Sequence, residues 1–249
     1  MTFFSILRTV ICLAFVAFFM LSGIVLLPME YFIRKKDEDK ALRFSVAITN
    51  WGFRWVTRLT GSNVRVTGRS NVPKNEPVLF VGNHRSYFDL IAGYYNFPFH
   101  TSIISKAGLK KAPVIGAWMK RFKCLFIEQN NLRQGVQMVI DAQKLMKEGS
   151  NILIFPEGTR NKGKGVGEIH GGSLKIATKP GFKIVPVVFT NTREIFERQF
   201  PWVRPQNVTI EFLEPIETAG LSRDETKQLP EIIHDKLLET FENNNKSVL

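Results

Sequence analysis

Pro77-Val78-Leu79-Phe80-Val81-Gly82-Asn83-His84-Arg85-Ser86-Tyr87-Phe88-Asp89 runs from an apolar stretch straight into a polar block. An unbroken apolar run closed by glycine is the pattern of a strand buried on both faces, as in a parallel sheet. The polar block then begins where that strand ends. His84 and Asp89 stand five residues apart. On a continuous helix five residues carry the chain about 140° beyond a full revolution, so the two side chains diverge. On a continuous strand an odd offset puts them on opposite faces. They meet only if the chain turns between them, strand end into helix start. Asp89 would then hold one imidazole nitrogen and leave the other to take a proton, as a general base requires. The alternative open at this level is that Asp89 caps a helix and His84 fills a loop.

Working outward, strand and helix patterns alternate. Asn63–Thr67, Val78–Val81, Thr101–Ser105, Cys124–Ile127, Ile152–Phe155, Ile184–Phe189 and Val208–Leu213 read as strands. Leu90–Tyr95 reads as helix as far as Pro98. Asn130 and Asn131 offer a cap for a helix through Lys147, with Val136, Val139, Ile140, Gln143 and Met146 marking a face and Gly149 stopping it. Ser222 and Glu225 have capping-box spacing ahead of a C-terminal helix that turns Ile233, Leu237, Leu238 and Phe241 to the core. Pro230 reads as restarting that helix, and the tail Asn243–Leu249 as loose. The alternation implies an α/β layered domain with a largely parallel central sheet over residues 62–249.

Upstream, Val10–Leu27 is an 18-residue apolar run interrupted only by Ser22 and Gly23. A spanning helix needs about 20 mostly apolar residues. With no small-x-small cleavage site after the run, a retained membrane helix or a shallow insertion is favoured over a signal peptide. Arg34-Lys35-Lys36, with Lys40 and Arg43 beyond, outnumber Arg8 plus the amino terminus. That bias places the main body on the cytoplasmic face of the cell inner membrane. Over residues 38–60, Phe44, Ile48, Trp51, Trp55 and Leu59 recur at helical spacing, and Gly61 ends the pattern. Trp51, Phe53 and Trp55 are types that settle at a headgroup boundary; an ordinary amphipathic helix packed on the core is the equal alternative. Residues 1–36 thus read as a membrane anchor with a basic flank, and 37–61 as an amphipathic interfacial helix.

Thirty-four Lys and Arg against 22 Asp and Glu give the chain a formal charge of +12. Such an excess suits a phosphate-bearing partner: nucleic acid, an anionic bilayer or a phosphorylated substrate. Leu90–Ile127 contains no Asp or Glu and sets Lys106, Lys110, Lys111, Lys120, Arg121 and Lys123 among large apolar residues. With a membrane segment in the same chain, a lipid bilayer is the expected partner and nucleic acid is not. Cys12 and Cys124 indicate no disulfide framework, and the four histidines have no zinc-ligand spacing, so no metal is expected.

A second polar block, Phe155-Pro156-Glu157-Gly158-Thr159-Arg160, also follows a buried strand. Ligands of α/β sheets sit beyond the carboxyl ends of strands, so the two blocks should share one rim. Arg160 offers a planar fork of donors suited to phosphate; the alternative is a local Glu–Arg surface pair of little consequence. Asn161–Gly172, rich in glycine and carrying Lys162 and Lys164, reads as a mobile basic loop that closes over a ligand.

Taken together, these residues resemble the glycerophospholipid acyltransferases, in particular the 1-acylglycerol-3-phosphate (lysophosphatidate) acyltransferases. The resemblance rests on Asn83-His84, four residues, Asp89, on Phe155 to Arg160, on Ser105-Lys106-Ala107-Gly108 with Pro113 and Gly116, and on Val185-Pro186-Val187. It covers about residues 60–215, in the expected order. It implies that His84 and Asp89 are catalytic, His84 taking the proton of an acceptor hydroxyl as that oxygen attacks an acyl thioester. It implies substrate binding by Glu157, Gly158, Thr159 and Arg160, with Lys106, Asn83 and Arg85 as further candidates. The implied substrates are a lysophospholipid acceptor and acyl-CoA or acyl carrier protein as donor, with no other cofactor and no acyl-enzyme. One position departs: Gln129 stands where the family commonly has an arginine for the acceptor phosphate, with Arg133 one turn on as a substitute, so another lysophospholipid is the alternative acceptor. A serine hydrolase is disfavoured, because His170-Gly171-Gly172-Ser173 is not followed by a Gly-x-Ser-x-Gly elbow. A non-catalytic basic membrane-surface protein would explain the charge but not two polar blocks at strand ends.

Overall fold

The computed structural model describes residues 3–98, 100–128 and 131–246. It opens with two long helices, α1 (Phe3–Lys36) and α2 (Glu38–Leu59), packed side by side. α1 is longer than the apolar run that announced it and continues past Pro28. Its buried residues are Ser5, Thr9, Cys12, Gly23 and Glu30, while Phe3, Val10, Phe18, Leu21, Ile24 and Val25 point outward. A helix that hides its small and polar side and exposes its apolar side is the reverse of a water-facing one. It is the one helix among the described residues long and apolar enough to cross a membrane.

α2 begins at Asp37, whose carboxylate accepts the Lys40 N–H at 2.9 Å, and is followed by Gly61 at a φ of 71°. Of the two readings of its aromatic row, packing on the core does not describe Trp51 and Trp55. Ala41, Leu42, Ser45, Val46, Thr49, Gly52 and Val56 are buried, whereas Trp51 and Trp55 remain 46% and 39% exposed. Gly52 lets the helices touch: a Cβ there would come within 2.7 Å of three atoms of the Phe19 ring.

The rest is a seven-stranded sheet in the order β1-β7-β6-β2-β5-β3-β4: β1 (Asn63–Thr67), β2 (Leu79–Gly82), β3 (Thr101–Lys106), β4 (Leu125–Ile127), β5 (Asn151–Ile154), β6 (Ile184–Thr190) and β7 (Asn207–Phe212). β6, β2, β5, β3 and β4 are mutually parallel; β7 is antiparallel to β6 and parallel to β1. Five strands therefore end at one rim. Alternate residues feed two cores. Leu79, Val81, Ile152, Ile154, Ile184 and Val188 pack under α5 (Leu132–Lys147), the short α6 (Lys175–Thr178) and α7 (Arg223–Lys246). Phe80, Leu153, Val185, Val187 and Phe189 pack on the face that receives α1, α2 and the short α3 (Phe88–Ile91). α4 (Pro113–Arg121) sits on that same side, its Trp118 against Leu42 and Val46 of α2.

Several expectations change here. Helix after Asp89 lasts only through Ile91 and gives way to a 3-10 turn at Tyr94–Asn96. α5 buries Met138, Ala142 and Met146, leaving Val136 and Ile140 63% and 52% exposed, because the helix carries two apolar rows and the sheet covers one. Asn131 caps α5 through Gln134 N–H at 3.1 Å; Asn130 and Gln129 lie outside the described residues. The Ser222–Glu225 capping box forms with both bonds, at 2.7 and 3.2 Å. Pro230 neither stops nor restarts α7, which runs on to Lys246 and so takes in the first residues of the expected loose tail. In the all-basic stretch, Arg121 faces neither solvent nor lipid alone. It donates to Glu30 at 2.5 Å, a fully buried carboxylate that also accepts from Arg34.

Candidate active site

β2 delivers Asn83 to the rim, and there the chain turns. Asn83 is fully buried, its Nδ2 donating to Phe189 O (3.0 Å) and its Oδ1 accepting Phe189 N–H (2.8 Å). Expected to bind substrate, it instead extends the β2–β6 pairing by one side chain and fixes where the turn begins. The turn brings His84 Nδ1 to 2.8 Å from Asp89 Oδ2. Asp89 is buried and accepts from four donors: the His84 ring, Arg85 N–H (2.7 Å), Ser86 N–H (2.8 Å) and, on Oδ1, the Thr192 hydroxyl (2.5 Å). Of the two readings of Asp89, the one in which it holds the imidazole matches this geometry; it lies inside α3 rather than at its cap, and its bonds to Arg85 and Ser86 N–H brace the turn before the helix.

A carboxylate surrounded by donors leaves the proton on Nδ1 and the lone pair on Nε2. The ring is also fixed in plane, stacked on Phe155 with centroids 4.2 Å apart and 21° between planes. Nε2 has no hydrogen-bond partner among the described residues, and the His84 side chain is 20% exposed. Such an arrangement is oriented and accessible enough to serve as a base.

β5, adjacent to β2, carries the second block onto the same rim. Gly158, at a φ of 69°, closes a turn back to Phe155 O (3.0 Å). Glu157 does not pair with Arg160. Its Oε1 accepts His84 N–H (2.7 Å) and its Oε2 accepts Gly167 N–H (2.9 Å). Burial pushes its carboxyl above the ordinary range, against the pull of those two N–H groups and of His84. A Cβ at Gly167 would meet Oε2 at 2.4 Å, so any larger residue there would displace the carboxylate. Gly158 and Thr159 are exposed at the mouth. Arg160 lies across Tyr87, its Cζ 3.8 Å from the ring centroid and Nη2 donating to the hydroxyl at 3.1 Å, with Nη1 3.3 Å from Glu197 Oε1.

Arg85 is the second displaced candidate. Its guanidinium donates to the carbonyls of Gly163 (3.0 Å) and Gly165 and lies over Phe241 at 5.0 Å. It holds the glycine-rich loop. That loop is not a free lid: Arg193 binds Lys162 O (2.6 Å), His84 O accepts Asn161 N–H (2.7 Å), and Val166 and Ile169 are buried. Lys106 stands exposed at the end of β3, two strands from His84, beside a cleft of about 370 Å³ lined by Ala107, Gly108, Ile127 and Glu128. Arg133 is exposed in the first turn of α5. Among the described residues no cluster of His, Cys, Asp or Glu is assigned to a metal.

Thr192 and Glu197 were not singled out from the sequence. Both follow β6, the other neighbour of β2, and the rule that ligands gather beyond strand ends is the signal that nominates them.

Residues 63–190 match the family model described as Acyltransferase. Over 201 residues, 81% of this chain and 78% of the relative, the sequence is 31% identical to the 1-acyl-sn-glycerol-3-phosphate acyltransferase of Borreliella burgdorferi. It is 28% identical over 187 residues to the sheep alpha enzyme of that name, covering 74% of this chain and 64% of that one. The crystal structure of PlsC, the 1-acyl-sn-glycerophosphate (LPA) acyltransferase of Thermotoga maritima, superposes with a TM-score of 0.81 at 24% identity, over 97% of this chain and 96% of that one, and so shares its fold. With the two polar blocks on one rim and these matches spanning them, the chain belongs to the 1-acyl-sn-glycerol-3-phosphate acyltransferase family and is an O-acyltransferase.

Proposed function

We propose that this chain transfers a fatty acyl group from acyl-CoA or acyl carrier protein to the free hydroxyl of a lysophospholipid, 1-acylglycerol-3-phosphate giving phosphatidic acid. The observation that carries the reading is His84, held through Nδ1 by Asp89 at 2.8 Å with Nε2 open, on the same rim as Arg160. His84 Nε2 removes the hydroxyl proton as the oxygen attacks the thioester carbonyl carbon. The tetrahedral intermediate collapses, the carbon–sulfur bond breaks, and the imidazolium returns the proton to the departing thiolate. No acyl-enzyme forms. Arg160, with Lys106 and the exposed turn at Gly158 and Thr159, receives the acceptor headgroup; a guanidinium suits a phosphate through paired donors.

Residues 62–249 carry the transferase, and 1–36 with 37–61 seat it on the cytoplasmic face of the inner membrane. The exposed apolar side of α1 and the exposed Trp51 and Trp55 support that seat. The test is acyl transfer by the purified full chain to a panel of lysolipids with labelled thioester. His84→Ala is expected to lower kcat by about 10²–10⁴-fold in a folded protein, the usual share of a positioned base. Arg160→Ala is expected to raise KM for lysophosphatidate more than for an acceptor lacking phosphate. Near-normal turnover by His84→Ala would remove the mechanism, and equal KM changes would remove the role of Arg160.

A further inference from the structure

The two polar blocks are joined by a residue that belongs to neither. Glu197 opens the 3-10 turn Glu197–Gln199 after β6. Its Oε2 accepts the Ser86 hydroxyl at 2.7 Å; its Oε1 accepts Tyr87 N–H at 2.7 Å and lies 3.3 Å from Arg160 Nη1. Only 17% of its side chain is exposed. Ser86 and Tyr87 lie inside the turn that carries His84 and Asp89, and Ser86 N–H donates to Asp89 itself. Arg160 comes from the neighbouring strand end. One carboxylate therefore ties the guanidinium to the base-bearing turn.

We propose that Glu197 is a positioning residue of the transfer reaction, fixing Arg160 relative to His84 so that a headgroup held by one presents its hydroxyl to the other. The inference rests on the reading of His84 as base and Arg160 as headgroup contact. Arginine is long and rotamer-rich, and left to itself it would hold a phosphate over a range of places. Displacements near 1 Å are enough to cost about a hundredfold in rate. Tyr87 supports one face of the guanidinium and Glu197 its edge, so Arg160 is held on two sides before any ligand arrives. A carboxylate suits the position because its two oxygens accept from three donors without supplying one of their own.

The test is steady-state kinetics of the full chain with lysophosphatidate and with monoacylglycerol, which has the hydroxyl but no phosphate. Glu197→Ala is expected to raise KM for lysophosphatidate about tenfold, as loss of a charge-assisted contact typically does, and to lower kcat as the turn loosens. KM for monoacylglycerol stays put. Glu197→Gln is expected to restore most of both, since the Ser86 hydroxyl can rotate to accept from the new amide while the remaining oxygen keeps Tyr87 and Arg160. In Glu197→Ala/Arg160→Ala the KM effects do not add, because the first acts through the second. Wild-type kinetics in Glu197→Ala, or additive KM changes, overturn the proposal. If Glu197→Ala fails to fold, Glu197→Asp is read instead: one methylene shorter, it cannot reach all three donors and is expected to raise KM for lysophosphatidate selectively, and an unselective change counts against the proposal. Failure of the underlying reading is told apart by His84→Ala, whose full activity would sink the mechanism whatever residue 197 does.

Discussion

Glu157 shows how little freedom a side chain of this rim has. Each of its oxygens takes a backbone N–H, one from His84 and one from Gly167. Glutamine preserves the shape but sets an NH2 against one of those donors, and an unsatisfied buried donor costs about 1–3 kcal/mol. Glu157→Gln is therefore expected to loosen the loop at Gly167 and reduce activity despite its conservative appearance. The pH dependence has a definite sign. Burial raises the Glu157 carboxyl above its ordinary value of 4.5. A group raised in the folded state contributes stability that is present below the ordinary value and lost as pH climbs through the raised one. The gap in Tm between wild type and Glu157→Gln is thus expected to widen on acidification from neutrality toward pH 4.5; thermal unfolding across that range checks it, and a narrowing gap would contradict it. At this scale His84, Asp89, Glu157 and Arg160 were legible because they lie in two short blocks at strand ends. Thr192 and Glu197 were not, because their partners are some hundred residues away and depend on β6 lying beside β2. The backbone partners of Asn83 and Arg85 were hidden for a related reason: a polar residue at a rim reads as a ligand contact until the chain it bonds to is known.

Among the elements, α1 and α4 are held by an ion cluster inside an otherwise apolar contact. Glu30 is fully buried, with Arg34 at 2.5 Å on one oxygen and Arg121 at 2.5 Å on the other. Removing one partner of a buried pair leaves the others uncompensated, typically at about 3–5 kcal/mol. Both arginines retain some solvent contact, 28% and 23% of the side chain, so Glu30→Ala belongs at the lower end. Thermal unfolding in detergent should show a loss of several degrees, and an unchanged Tm would mean the cluster contributes nothing. Sequence periodicity could not find this contact, since Glu30 reads as the polar end of a membrane run. Strands were easier: all seven runs read as strands formed, with ends shifted by at most a residue. α5 was harder because Leu132, Val136 and Ile140 make as good a helical row as Met138, Ala142 and Met146. Which row the sheet covers is a tertiary fact. The 3-10 turns and α6 left no signal because three to five residues carry no period.

Alternation of strands and helices was enough to give a parallel α/β sheet, yet nothing in it specifies the order β1-β7-β6-β2-β5-β3-β4 or the reversal at β7. That order matters because it sets β2 between β5 and β6, the strands whose ends complete the rim. The whole molecule then presents an exposed apolar helix, two exposed tryptophans and a formal charge of +12. Apolar insertion and electrostatic attraction predict different salt responses. Lysines near an anionic bilayer surface contribute about 1 kcal/mol each, so replacing Lys106, Lys110 and Lys111 together by Gln is expected to weaken binding to anionic vesicles by up to about a hundredfold at low salt. Near 1 M salt the screening length falls to about 3 Å, and the variant and wild type should then bind alike. Apolar contact should survive that salt. Because Trp118 is buried and Trp202 half-buried, a vesicle-induced blue shift in tryptophan emission should come chiefly from Trp51 and Trp55 and shrink in Trp51→Phe/Trp55→Phe to what Trp202 alone gives. Co-sedimentation and emission spectra on the same vesicles separate the two contributions. Equal loss of binding at every salt would place those lysines in the fold rather than at the membrane, and an unchanged spectrum would take α2 off the bilayer.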